Sequence, residues 1–172
     1  MLEVLTVVVV VAIVTGIAAT IMTSVMPTVH ADSALEMVVA DLNQARQRAT
    51  DQRRNFLVTF AGTNEIKVQR EELDGTLTTI SDYFLPNDMT YTLVTGVPDT
   101  PDGFGNSLAV NFAGSNTLTF VSDGTSVDNQ GRLVDGTVFM AMGSSPTTAR
   151  AVTVMGATSQ VKGYRYNGTQ WN

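Results

Sequence analysis

The chain has 172 residues, a formal net charge of −6, one histidine (His30) and no cysteine. That balance excludes a general nucleic-acid binder, because phosphate backbones call for Lys and Arg, and it excludes disulfide staples, thiolate zinc sites, cysteine nucleophiles and multi-histidine metal sites. The length suits one domain plus one long additional element.

Charge is unevenly spread. Between Glu3 and Asp32 there is no Asp, Glu, Lys or Arg, and Val4 to Met26 reads VLTVVVVVAIVTGIAATIMTSVM. A helix of about 20 apolar residues crosses a bilayer core, so this run predicts a helix in lipid or in a dry protein core. Its polar members Thr6, Thr15, Thr20, Thr23 and Ser24 are hydroxyls that bond back to the preceding helical turn. In lipid the backbone must bond to itself, and a lone segment does that only as a helix. A cleaved signal peptide would carry Lys or Arg ahead of the run, and none is there. A plain membrane anchor accounts for the hydropathy but not for Glu3, a carboxylate that is expensive beside a buried helix unless it is paired.

From Asp32 to Arg54 the pattern becomes amphipathic. Leu35, Val38, Val39, Leu42, Ala45 and Ala49 recur at helical spacing, with Asp41, Asn43, Gln44, Arg46, Gln47, Arg48 and Asp51 on the other faces. Asp32 or Ser33, with Glu36 as capping-box partner, suits a helix start. The stronger expectation is one helix from Leu2 to about Gln52, about 75 Å long at 1.5 Å per residue, whose outer half packs on the head. Arg46, Arg48, Arg53 and Arg54 read either as a solvated face near a helix C-terminus or as a contact with acidic heads of neighbouring subunits.

Beyond Arg54 the runs Phe56–Ala61, Glu65–Glu71, Leu77–Tyr83, Met89–Val94, Leu108–Phe112, Thr117–Val121, Thr137–Met142, Ala151–Met155 and Gln160–Tyr166 predict strands. Asp74-Gly75 and Asn167-Gly168 are tight-hairpin pairs. The Pro/Asp/Gly-rich stretch from Gly96 to Gly105 predicts an exposed loop, and a second loop spans Ser122 to Asp135. No helix is expected here.

No nucleophile–base pair is visible, so no enzyme is expected, and no cofactor. Asp123, Asp128 and Asn129 are weak calcium candidates: they carry oxygen ligands, but not at EF-hand spacing, and such residues also form ordinary turns. Tyr164, Tyr166 and Trp171 predict a packed sheet face rather than a ligand platform. Asn167-Gly168-Thr169 fits a glycosylation sequon, and the hairpin turn alone explains it.

The start MLEVLTVVVVVAIV resembles the N-terminal motif of type IV pilins and pseudopilins. DLNQARQRATDQRRNFLVTF, LTFVSDGTS and ARAVTVMGATSQVKGYRY, with Gly156 in the last, are similar to the helix end, strand–glycine signature and closing strands of the GspH/FimT-type members. The resemblance implies an α+β fold: a long N-terminal hydrophobic α-helix packed on a C-terminal antiparallel β-rich head. Residues 1–54 would be the helix (1–27 transmembrane or filament core, 28–54 packed on the head) and 55–172 the head. It implies a structural subunit that polymerises through that helix into a pilus-like filament for adhesion, motility, DNA uptake or secretion. Its partners would be itself, related minor pilins, prepilin peptidase and the pilus assembly machinery. It would lie in the inner membrane before assembly and in a surface filament after. Met1, Leu2, Glu3, Val4 and Leu5 would form the assembly start, with Glu3 pairing the α-amine of a neighbour, an attraction strong at low dielectric. Only two residues precede Glu3, so a residue or two of the mature start would lie ahead of Met1, or the register differs. The family's helix proline comes earlier than Pro27, which with Gly16 marks where this helix would bend. The alternatives are a minor pseudopilin of a type II secretion system and a membrane-anchored extracellular binding module, which has no use for Glu3.

Overall fold

The computed structural model describes residues 2–86 and 88–172, apart from the side chains of Leu2, Glu3, Leu5 and residues 17–24. A single helix, α1, runs from Leu2 to Gln52 and is continuous through Gly16 and Pro27. It is followed by β1 (Phe56–Ala61), β2 (Glu65–Glu71), β3 (Leu77–Phe84), β4 (Met89–Tyr91), β5 (Val110–Phe112), β6 (Thr117–Phe120), β7 (Ser126–Val127), β8 (Gly136–Met142), β9 (Arg150–Met155) and β10 (Gln160–Arg165). The structure therefore has the α+β organisation expected of it. No cap interrupts α1 at Asp32 or Ser33, because the helix simply continues, and Asp32 is used for something else described below.

The strands form two antiparallel sheets. One has the order β3-β2-β1-β6-β7. In the other, β10-β9-β8 continues to β4, and β5 pairs another stretch of the same edge of β8. Tight turns set the registers. The β2–β3 turn places Gly75 at φ +82°, a conformation open to glycine without strain. Asp74 accepts from the Thr76 amide and hydroxyl there. Tyr166 bridges Trp171 across the Asn167-Gly168 turn, with Gly168 at φ +96°.

α1 lies against both sheets along one stripe. Ala31, Ala34, Leu35, Val38, Leu42, Ala45 and Ala49 are all buried, and they meet Phe56, Val58, Phe60, Ile66, Val68, Leu118 and Phe120 of the first sheet and Val138, Met140, Val152 and Val154 of the second. The four alanines keep this seam thin, so the backbone approaches the strands closely while the larger side chains interdigitate. At the apolar positions the alternation of β1 and β6 faces the helix, which is why their period-2 pattern is clean in the sequence.

Two expectations are corrected. The stretch from Gly96 to Gly105 is not a free loop: Thr100 is buried, and Trp171 Nε1 donates to the Pro98 carbonyl at 2.9 Å. It straps the outer face of the second sheet, so β8 and β9 are buried on both faces. The region from Ser122 to Asp135 contains the short strand β7, and a 3-10 turn, Pro146–Thr148, precedes β9. Both are too short to carry a periodicity signal.

Candidate assembly surface

The N-terminal half of α1 leaves the head. Val4, Val7, Val8, Val9, Val10, Val11, Ile13 and Val14 are 49–68% exposed, on every side of the helix. Valine is a middling helix former, so this half is not stabilised by propensity. A helix apolar all round is one that is buried in something, and the head does not bury it. Thr15 Oγ1 donates to the Val11 carbonyl at 2.7 Å, removing a polar group from the surface as the sequence suggested. Taken over the described residues alone, no helix is long and apolar enough to cross a membrane. The side chains of Leu2, Glu3 and Leu5, and the whole of Met1, lie outside the described residues. Val4 is exposed, and a Cβ added at Gly16 would meet open space.

Where α1 enters the head, a knot of charge grips it. Arg150 Nε and Arg165 Nε both donate to Asp32 Oδ1 at 2.8 Å. Arg165 Nη2 reaches Glu36 at 3.2 Å. The Arg150 side chain is only 2% exposed. Its remaining donors go to the carbonyls of Thr147, Ala149 and Thr28, so a fully buried guanidinium is satisfied. Burial pushes the Asp32 carboxyl up, but the hydrogen bonds from Arg165 and Arg150 outweigh it and hold it below the usual range. Asp32 is the first charge after Glu3 in the sequence, a boundary position that could have drawn attention, but nothing local pointed to Arg150.

A second knot holds the strap. Asp102 accepts from Lys162 Nζ (2.7 Å), Thr153 Oγ1 (2.6 Å) and Tyr164 OH (2.9 Å). Burial raises this carboxyl too, and the three donors lower it further than that, leaving it below the usual range. Tyr164 is thus a tether, while the Trp171 ring packs on both Tyr166, 5.2 Å away between rings, and Phe139. Of the three aromatics expected on a packed face, Tyr166 and Trp171 are found there and Tyr164 is not.

The calcium candidates are occupied by their own turns. Asp123 accepts from the Thr125 amide and hydroxyl. Asp128 accepts from the Gln130 and Arg132 amides and, at its other oxygen, from the Arg132 guanidinium. Asn129 is exposed beside them. Among the described residues no group of three or more His, Cys, Asp or Glu is placed to hold a metal ion. The arginines also differ from one expectation: the last turn of α1 holds no basic residue, and Arg53 and Arg54 lie just beyond it.

No protein-family profile matches the chain, and no curated protein matches it in sequence. Solved structures do share its fold. The minor pseudopilin EpsH from the Type 2 Secretion System of Vibrio cholerae superposes with a TM-score of 0.54 at 12% identity, over 79% of this chain and 97% of that one. A crystal structure of the same pseudopilin gives 0.54 at 13%, over 83% and 99%. The type IV minor pilin FimU of Pseudomonas aeruginosa gives 0.54 at 14%, over 82% and 91%. The fold is that of type IV pilins and pseudopilins.

Proposed function

We propose that this chain is a subunit of a type IV pilus-like filament or of a type II secretion pseudopilus. The observation that carries the reading is the apolar half of α1, exposed on every side while the other half of the same helix is seated in the core of the head. Eight large aliphatic side chains stand in solvent in the isolated chain. At about 25 cal/mol per Å² of apolar surface, covering them with lipid or with copies of the same helix is a large favourable change. The chain would therefore rest in the inner membrane first and exchange lipid for helix contacts on assembly. Both readings suit the fold, because the structures it resembles include minor members of each kind.

Glu3 supplies register in this proposal. Its carboxylate would pair with the α-amine of an incoming neighbour. Prepilin peptidase, the assembly machinery and related minor pilins are the partners that go with such a subunit. Gly16 and Pro27 are the proposed points of helix flexibility, Gly16 for its open surroundings and Pro27 for its missing amide.

The test is reconstitution of the full chain from detergent, followed by electron microscopy. Filaments are expected for the native chain, with their loss on Val8→Asp and loss of regular subunit spacing on Glu3→Ala. A native chain that remains a detergent-bound monomer under all conditions sinks the proposal.

A further inference from the structure

Asn167-Gly168 is the one Asn-Gly pair in the chain. It sits in the turn that brings residues 171–172 back beside β10. The Arg165 and Asn172 amides each donate to the other's carbonyl at 2.9 Å, and Tyr166 bridges Trp171. Asn167, Gly168 and Thr169 are exposed. The turn fixes the Asn167 side chain, because its Oδ1 accepts from the amides of Thr169 and Gln170, both at 2.9 Å. The small ring closed by the Thr169 bond contains both Asn167 Cγ and the Gly168 nitrogen. The Gly168 amide donates to no acceptor among the described residues, and a Cβ added at Gly168 would meet open space. That nitrogen is therefore open to solvent and unhindered by a side chain of its own.

We propose that Asn167 is a site of spontaneous deamidation, and that the product loosens the strap over the second sheet. A base from the solvent, hydroxide or a buffer anion, removes the Gly168 amide proton. The nitrogen lone pair attacks Asn167 Cγ, and the carbonyl electron pair moves onto Oδ1. Two amides already stand within hydrogen-bond distance of that oxygen, where negative charge develops, as donors do for the tetrahedral intermediate of acyl transfer. The bond from Cγ to the side-chain nitrogen then breaks, and the nitrogen leaves with a proton as ammonia. A cyclic imide remains. Water adding at the Asn167 main-chain carbonyl opens the ring to isoaspartate, and water adding at Cγ opens it to aspartate. One water is consumed and one ammonia released, with no oxidant or reductant. A turn that had to open before the attack would slow the reaction by its opening equilibrium. Here the attacking amide is exposed and unpartnered in the closed turn, so no opening is needed.

The strap depends on the register of this turn. Trp171 Nε1 donates to the Pro98 carbonyl at 2.9 Å, and the Trp171 ring packs on Tyr166. Val94 and Val97 of the strap's leading end belong to the same cluster. In isoaspartate the main chain runs through Cβ and Cγ, one carbon longer than before. That carbon shifts the two arms of the turn against each other, so Trp171 cannot keep both its bridge to Tyr166 and its bond to Pro98. Asp102 still holds the other end of the strap through Lys162, Thr153 and Tyr164. Only the part around Val97 is released. The inference stands apart from the filament reading above.

The test ages the full chain in detergent at mildly alkaline pH, beside a synthetic peptide of residues 166–172. Trypsin cutting after Arg165 frees the same peptide from the chain, so chromatography and mass spectrometry read both alike. Isoaspartate is expected to accumulate in the folded chain at least as fast as in the peptide. The aged chain is expected to exchange the Val97 amide faster and to melt at a lower temperature than the fresh chain. Asn167→Asp adds the charge without lengthening the backbone, and is expected to keep the Val97 amide protected. If the folded chain reacts about tenfold more slowly than the peptide, a difference of about 1.4 kcal/mol in barrier, the turn shields Asn167 and the inference is overturned. It is overturned equally if a chain carrying isoaspartate protects Val97 as well as the fresh chain does, or if Asn167→Asp alone releases it. None of these outcomes touches the filament reading.

Discussion

Asp102 gathers donors from two strands into one carboxylate, and that makes it the residue on which the strap over the second sheet depends. Replacing it with Asn keeps the shape and removes the charge. We predict a loss of about 1–3 kcal/mol in denaturant unfolding, the usual range for a part-buried charged network with a partner removed. Because the folded carboxyls of Asp32 and Asp102 lie below their unfolded value of 3.8, both stabilise fully above that pH. Their contribution is lost as pH falls through the lower folded values, so acid unfolding should begin below pH 3.8, and Asp102→Asn should blunt it. Asp41 has the opposite sign. Its Oδ2 is buried with no hydrogen-bond partner, and burial raises the carboxyl above its ordinary value against the opposing field of Arg48. Asp41→Asn should therefore raise the thermal midpoint at pH 7, with the gain shrinking as pH falls into the window where native Asp41 is protonated. Gly156 is governed by space rather than charge. A Cβ there would stand 2.8 Å from the Val134 backbone nitrogen and oxygen. Gly156→Ala should cost about 1–3 kcal/mol by overpacking, read as a lower midpoint in denaturant. Its position was visible in the sequence as a glycine between strands, but its crowding was not, because Val134 is far away along the chain.

At the scale of elements, α1 ends in a motif that chain pattern alone did not reveal. Arg53 adopts φ +50°, and the Arg54 amide donates back to the Ala49 carbonyl at 3.2 Å. This is the geometry in which a left-handed residue closes a helix, normally a glycine. Arg53→Gly should stabilise the head by about 1 kcal/mol, read as a higher thermal midpoint. The grip on α1 is the second element-scale dependence. Asp32→Ala leaves the buried Arg150 guanidinium without its carboxylate, a change expected to cost about 3 kcal/mol. Lowered thermal stability together with greater amide exchange near Thr28 would be the observation. The strands were largely legible because β1 and β6 alternate throughout against the helix, and β2 does so as far as Val68. β4 ends at Tyr91 and β5 begins at Val110, inside the predicted runs Met89–Val94 and Leu108–Phe112, although the Thr92 amide still donates to the Phe139 carbonyl of β8.

Across the whole molecule, the apolar half-helix was readable from charge distribution, and the β head from its strand-like runs and turn pairs. The interior stripe of α1 was readable from its spacing. What could not be read was long-range: that Asp32 would meet Arg150 and Arg165, or that Asp102 would pin the Gly96–Gly105 strap. No local pattern encodes contacts across more than 100 residues, such as Arg150 to Asp32. The same geometry has a mechanical consequence. From Asp32 to Gln52 the helix is seated over about 30 Å, so tension along its axis loads every contact of the seam at once, in shear. A sideways force on the free half acts through a lever of about 45 Å and concentrates at Asp32, where bonds would yield one after another. Such a subunit should be strong when pulled lengthwise and weak when bent. Pulling single molecules along and across α1 should give clearly higher rupture forces in the first direction, and Asp32→Ala should lower chiefly the second.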